Sequence, residues 1–214
     1  NIIVIFNMNP GKPTENWNQI MTLPRKLTLI GEEDLRVEPA GDVESLRRDH
    51  VHFDGMTLPA NQDVVLDNVK GNAMEIVAEI DPKNAPMLEM DVLRSPNKEE
   101  VTRIMFFKDR GMRNRQLNIS RSLITIDSSC SSISPDVMTR APETASVLLE
   151  ENETLQLRVF VDKSVVEVFV NGKQCVALRV YPGLEDSTGV SLRSQGRDSE
   201  LISFDAWQMQ NIYE

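Results

Sequence analysis

Two cysteines, two histidines, two tryptophans and two tyrosines are all that 214 residues hold of the side chains most used for covalent, metal and stacking chemistry. Each scarcity excludes something. Cys130 and Cys175 can form at most one intramolecular bridge, too few for a disulfide scaffold, and their spacing fits no metal-ligand pattern. The compartment stays open, with an extracellular or periplasmic setting ahead of a cytoplasmic one. Aromatic residues make up 5% of the chain, whereas a free-standing sugar-binding module needs exposed ring faces to stack on its ligand. The 23 Lys and Arg are scattered under a formal charge of −10, so a polyanion is repelled and nucleic acid is not an expected partner. No run approaches the ~18 apolar residues of a membrane span, so no membrane partner is expected either. The opening N-I-I-V-I-F-N-M-N-P has neither a basic region nor a small-residue cleavage site and reads as a strand entered midway.

What the chain does have is alternation. Apolar residues recur with period two, separated at short intervals by Gly, Pro, Asn and Asp, and at 40% hydrophobic there is material for one sizeable core and a smaller appendage. Strands are predicted at Ile2–Phe6, Lys26–Ile30, Val51–Leu58, Ala73–Ile80, Leu88–Leu93, Arg103–Lys108, Gln116–Ile119, Ser122–Ile126, Ala145–Leu149, Leu155–Val161, Val165–Val170, Cys175–Tyr181, Gly189–Ser194 and Leu201–Met209. These are too many for one flat sheet, so the expected fold class is all-β, a two-sheet antiparallel β-sandwich. The one helical suggestion is Gly41–Arg48, a linker turn that Asp42 could cap. Ser128 to Pro142 reads as a long loop.

Two constellations invite a chemical reading. Asp162 and Glu167 lie close together in L-Q-L-R-V-F-V-D-K-S-V-V-E-V-F-V-N-G. Leu155, Leu157, Val159 and Val161 share one face and Val166, Val168 and Val170 another, so Asp162 falls in a turn, where it could bond backbone amides two residues on. Glu167, a lone charge beside Val165 and Phe169, is expected at a rim or in solvent. A retaining glycosidase pair would need both carboxyls in one cleft about 5–5.5 Å apart, and the pattern supplies no cleft. H-V-H-F-D places His50 and His52 on the same side of a strand, where they could chelate one ion. Asp54, however, lies roughly 13 Å from His50 at strand rise, so no metal is expected there and no cofactor elsewhere.

The run from Arg158 to Pro182, R-V-F-V-D-K-S-V-V-E-V-F-V-N-G-K-Q-C-V-A-L-R-V-Y-P, resembles the signature hairpin of the C-terminal β-sandwich of glycoside hydrolase family 32, the invertases, inulinases, levanases and fructan exohydrolases. A second block agrees. W-N-Q-I-M-T-L-P-R-K-L-T-L (Trp17 to Leu29), D-L-R-V-E-P (Asp34 to Pro39) and E-S-L-R (Glu44 to Arg47) are similar to the junction between that family's propeller and its sandwich. The resemblance implies cleavage of β-fructosidic bonds by a nucleophilic Asp in W-M-N-D-P-N-G, a sugar-holding Asp in R-D-P and an acid/base Glu in E-C. None of these motifs occurs here. N-M-N-P-G-K (Asn7 to Lys12) has Asn9 directly before Pro10, and an amide cannot attack an anomeric carbon as a carboxylate does. Arg48-Asp49 precedes His50, Arg197-Asp198 precedes Ser199, and neither cysteine follows a Glu.

The organisation implied by the resemblance is terminal propeller strands at 1–35, a linker with a short helix at 36–49 and a C-terminal sandwich at 50–214. No residue is expected to be catalytic or to bind substrate; Trp17, Pro24 and Arg25 are expected at the propeller interface. The expected partner is the catalytic propeller of a β-fructosidase, with a fructose-containing saccharide bound through it. Self-association through residues 1–30 is a further expectation, because Ile2 to Phe6 reads as a strand buried on both faces. The competing readings are a free-standing carbohydrate-binding sandwich, favoured if Trp207 or Tyr181 lies exposed beside a polar groove, and an interaction module.

Overall fold

Apolar alternation broken by turn residues forms strands rather than helices, and the computed structural model of the chain is built almost wholly of them. It describes residues 1–214 except 9, 10, 18, 32, 33, 116–118, 139, 213 and 214, with Ile119 described by its backbone alone. The first strands are β1 (Ile2–Val4), β2 (Asn7–Met8), β3 (Ile20–Met21), β4 (Arg25–Ile30), β5 (Asp34–Pro39), β6 (Arg47–Phe53) and β7 (Met56–Leu58). Then come β8 (Asp63–Lys70), β9 (Ala73–Asp81), β10 (Met87–Arg94), β11 (Thr102–Phe107), β12 (Arg113–Asn114), β13 (Ile119–Ser120) and β14 (Ser122–Asp127). The chain ends with β15 (Glu143–Val147), β16 (Leu155–Asp162), β17 (Val165–Val170), β18 (Gln174–Arg179), β19 (Gly189–Gln195) and β20 (Ser199–Met209).

Two antiparallel sheets form the expected sandwich. One runs β15-β14-β11-β10-β19-β8, and the other runs β18-β17-β16-β9-β20-β6 with β7 also paired to β20. Between them, Met74 and Ile76 of β9, Val159 and Val161 of β16 and Val166 and Val168 of β17 share one closed core with Met90, Ile104, Phe106, Ile124 and Ile126. At about 1.5–3 kcal/mol for each fully buried large apolar side chain, these rows dominate the favourable side of folding. The β17–β18 connection is an Asn171-Gly172 turn, both residues at positive φ, closed by the Lys173 amide donating to the Val170 carbonyl. A third sheet, β1-β4-β5, lies outside the sandwich, with β2 and β3 paired separately.

Local expectations are revised at several points. The run predicted as one strand over Val51–Leu58 breaks into β6 and β7 at Asp54-Gly55. Gly55 approaches the sheet so closely that a Cβ there would sit 3.2 Å from the Leu201 carbonyl. The helical turn is a 3-10 helix, Val43–Leu46; Asp42 caps it with no side-chain bond, its carbonyl instead accepting the Ser45 hydroxyl. Ile2 and Ile3, expected to be buried on both faces, are more than half exposed because β1 is an edge strand with no described layer above it. Of the strand predicted over Gln116–Ile119, Gln116, Leu117 and Asn118 lie outside the described residues. The expected linker 36–49 holds most of β5, the 3-10 helix and the start of β6.

One buried carboxylate closes the end of the sandwich. Glu100, fully buried in the β10–β11 connection, accepts the amides of Ile133 (2.8 Å), Gly183 (2.7 Å) and Leu184 (2.9 Å) and the Ser187 hydroxyl (2.6 Å). It thereby ties the long Ser/Pro-rich loop to the β18–β19 connection. Burial alone would raise this carboxyl, but Ser187 and the three amides outweigh it and hold it below the usual carboxylate range. Glu100→Gln replaces one acceptor oxygen with a donor facing donors, so it should cost about 3 kcal/mol of stability at neutral pH, measured by chemical denaturation. A depressed folded-state pKa adds stability that is complete above the unfolded value and is lost as pH falls through the folded one. The gap between wild type and variant should therefore close on acidification; a constant gap would mean that the charge is not what the loops depend on.

Candidate interdomain interface

Residues paired directly across strands share one face of a sheet, so the register Trp207–Glu75–Phe160–Glu167 defines a row across the seven-stranded sheet on the side away from the core. Two of its four members are carboxylates with at most 1% exposure. A buried carboxylate is tolerable only when paired and hydrogen-bonded. Glu75 accepts a two-pronged contact from Arg47, Nε to Oε2 at 2.8 Å and Nη2 to Oε1 at 2.7 Å, and a third bond from Arg158 Nε at 2.7 Å. Glu167 accepts the Leu23 amide at 2.6 Å and Arg25 Nη2 at 2.8 Å.

The arginines are held as firmly as the glutamates. Arg25 stands over the rings of Phe6 (5.0 Å) and Phe169 (5.8 Å), and Arg47 over Trp207 (3.9 Å). Around Arg25, Val37 joins Phe160 and Phe169 in a second apolar cluster, flanked by Leu23, Leu27, Val43, Cys175 and Met209. The Val37 amide donates to the Gly172 carbonyl at 2.7 Å, so the β17–β18 turn anchors β5. Burial pushes the Glu167 carboxyl up, while the Leu23 amide and Arg25 act against that rise. Burial also pushes the Cys175 thiol up to about 12, and both cysteines are free.

Glu167 thus corrects the expectation of a rim position. It shares a face with Asp162, but Asp162 is exposed at the end of β16 whereas Glu167 is enclosed by Leu23 and Arg25, so the two carboxyls share no cleft. The turn at Asp162 is tied by the Lys163 amide to the Asn72 carbonyl (2.6 Å) and the Val180 amide to the Ser164 carbonyl (3.0 Å). Trp17 is 47% exposed, with the Arg179 guanidinium 4.9 Å over its ring. Pro24 presents its carbonyl to the Ala40 amide at 2.7 Å. Asn9 and Pro10 lie outside the described residues. Tyr181 lines a groove of about 400 Å³ with Lys12, Lys163 and Glu185, its ring covered by Arg179 at 5.0 Å and Lys12 at 5.8 Å.

The histidines find a partner that sequence spacing did not offer. His52 is paired in register with Asp205 of β20, and the same carboxylate oxygen lies 2.7 Å from His50 Nε2 and 2.8 Å from His52 Nδ1. Asp54, the expected third group, reaches only the far nitrogen of His52, at 3.4 Å. The Asp205 hydrogen bond raises the His52 pKa. Asp205 stands 155 residues from His50, and only the β6–β20 register brings them together.

The sequence profile of the family described as "Glycosyl hydrolases family 32 C terminal" matches residues 42–208. The chain is 31% identical over 184 residues to a levanase of Bacillus subtilis (strain 168), covering 84% of this chain and 26% of the levanase. It is 25% identical over 232 residues to beta-fructofuranosidase 1 of Zea mays, covering 93% and 34%. The crystal structure of fructan 1-exohydrolase IIa from Cichorium intybus superposes with a TM-score of 0.86 at 17% identity, over 98% of this chain and 45% of that one, and so agrees in fold. The chain spans 26% of the levanase and 34% of the maize enzyme. With most of its length matched by the profile, the chain belongs to the glycosyl hydrolases family 32 C-terminal family.

Proposed function

We propose that this chain is the non-catalytic C-terminal portion of a β-fructosidase-type glycoside hydrolase, working joined to a catalytic β-propeller that cleaves sucrose or a fructan. In this reading residues 1–35 are the terminal propeller strands, 36–49 the link and 50–214 the sandwich. One observation carries it: at the β17 end of the seven-stranded sheet the outer face around Phe160, Glu167 and Phe169, which a solitary sandwich would leave to water, is covered by Phe6, Leu23, Arg25 and Val37. The N-terminal strands responsible leave Ile2, Ile3, Ile5, Leu29 and Leu35 exposed. An exposed apolar group of that kind suits a surface covered by further protein. Trp17, Pro24 and Arg25 then lie where propeller strands meet the sandwich, and the absence of the W-M-N-D-P-N-G, R-D-P and E-C motifs from the sequence leaves the fructoside chemistry to the propeller.

Two experiments test this. Incubated alone with sucrose, inulin or levan, the chain should release no fructose above the uncatalysed rate. Turnover that disappears in Asp162→Asn or Glu167→Gln would overturn the non-catalytic assignment. The joint itself is tested by Arg25→Ala, which leaves Glu167 buried and unpaired and should cost about 3–5 kcal/mol. Replacing both partners with leucine should recover much of that loss. In the single variant, amides of β4 and β5 should lose hydrogen-exchange protection before those of β10, β11 and β14. Simultaneous loss throughout would mean that the N-terminal strands fold as one unit with the sandwich rather than docking on it.

A further inference from the structure

The far end of the seven-stranded sheet carries a cluster that the interface does not use. We propose that His50, His52 and Asp205 bind one divalent transition-metal ion of the zinc class, clipping the edge strand β6 to β20.

The backbone prepares this site. Pairing runs from Ala206–Val51 to Gln208–Arg48, so Asp49 and His50 together oppose Trp207; this is a bulge, with Asp49 at φ 50°. Bulges re-aim side chains. Here the bulge lays the His50 ring on Trp207, centroids 4.8 Å apart and planes within 5°. Trp207 is backed by Arg47, whose own charge is matched by Glu75. His52 needs no such device, because it sits directly opposite Asp205.

The donor atoms fit the chemistry. One nitrogen from each imidazole and one Asp205 oxygen all lie within 4.8 Å of one another. A tetrahedral ion with ligands at about 2.0–2.1 Å sets them roughly 3.4 Å apart. Asp205 must therefore withdraw by about 0.6–0.7 Å from each ring while the rings close on each other. Both histidine side chains are nearly half exposed, which leaves them room to do so. Tautomers are also provided for. Asp205 as a carboxylate only accepts, so the ion displaces the protons that His50 Nε2 and His52 Nδ1 direct at it, and His52 then carries its proton on Nε2, where Asp54 Oδ1 lies at 3.4 Å. A carboxylate behind a ligating imidazole fixes its orientation and raises its basicity. Two nitrogens and one oxygen favour Zn²⁺, Cu²⁺ or Ni²⁺ over Mg²⁺ or Ca²⁺, and the fourth position is left to water. The expectation of no metal rested on the distance to Asp54; Asp205 supplies the donor that spacing along the chain could not.

The test is calorimetric titration of the tag-free, chelator-dialysed full chain with ZnCl₂, with MgCl₂ as the control, and the visible spectrum of the Co²⁺ form. About one Zn²⁺ per chain should bind, raising the thermal midpoint. Alanine at His50 or His52, or Asp205→Asn, should each weaken binding at least about tenfold, and Asp54→Asn less. Circular dichroism of the metal-free variants checks that each substitution leaves the fold intact. The proposal fails if Zn²⁺ does not saturate a site, if a variant combining His50→Ala, His52→Ala and Asp205→Asn binds as wild type does, or if Asp54→Asn is more damaging than Asp205→Asn. It also fails if Cys130→Ser abolishes binding, since that would assign the ion to the exposed thiol.

Discussion

The contact between Arg25 and Glu167 governs how the N-terminal strands meet the sandwich. A carboxylate at the centre of a sheet face is stable only if its charge is matched and its oxygens bonded, and breaking such a pair costs about 3–5 kcal/mol. Glu167 obtains both from one short stretch, the Leu23 amide and the Arg25 guanidinium. That fixes the entry of β4 against β17. Once β4 is placed, β5 follows by pairing and by the Val37–Gly172 hydrogen bond, and Val37 then closes over Phe160 and Phe169. Fully burying a phenylalanine is worth about 1.5–3 kcal/mol, so the apolar cover gives the joint strength while the ion pair gives it a register.

Glu75 repeats the device two strands away, with Arg47 and Arg158 as its partners. Arg47 begins β6, immediately after the 3-10 helix, so the segment between β5 and β6 is pinned at both ends. One end is held by the Pro24–Ala40 hydrogen bond and the other by the Arg47–Glu75 pair. Glu100 does comparable work with backbone amides in place of arginines. In all three cases a buried anion ties a segment distant in sequence to the sandwich through directed hydrogen bonds.

Legibility in the sequence tracked what each pattern physically reports. Period-two alternation reports that two faces exist, and it assigned Leu155 to Val161 and Val166 to Val170 to the core because those rows are uninterrupted. The same pattern is silent on what covers the second face, so Glu167 read as solvent-facing when its cover comes from 142 residues away. Strand β8 escaped notice because the β8–β19 ladder shifts register between Gly189 and Ser191, and its buried residues, Leu66 and Val69, fall three apart instead of two. The histidine pair was visible as a pair, since i and i+2 share a face. Its carboxylate was not, since no local signal encodes which residue of β20 lies opposite His52.

These ties bear on what a sandwich of this kind can transmit. A docked sheet with one contact can pivot about it, whereas β4 and β5 are held at Glu167, at Gly172 and, through the pinned segment, at Glu75. Three anchors that do not lie on one line leave no free rotation axis. The exposed isoleucines of β1 are therefore presented in one orientation relative to the sandwich, and β1 is joined to that frame through its pairing with β4. A protein layer covering β1 would be oriented by the same three anchors. Its position would thus depend on charge pairs buried on the outer face of the seven-stranded sheet, so the Arg25–Glu167 and Arg47–Glu75 contacts would set the geometry of any such layer.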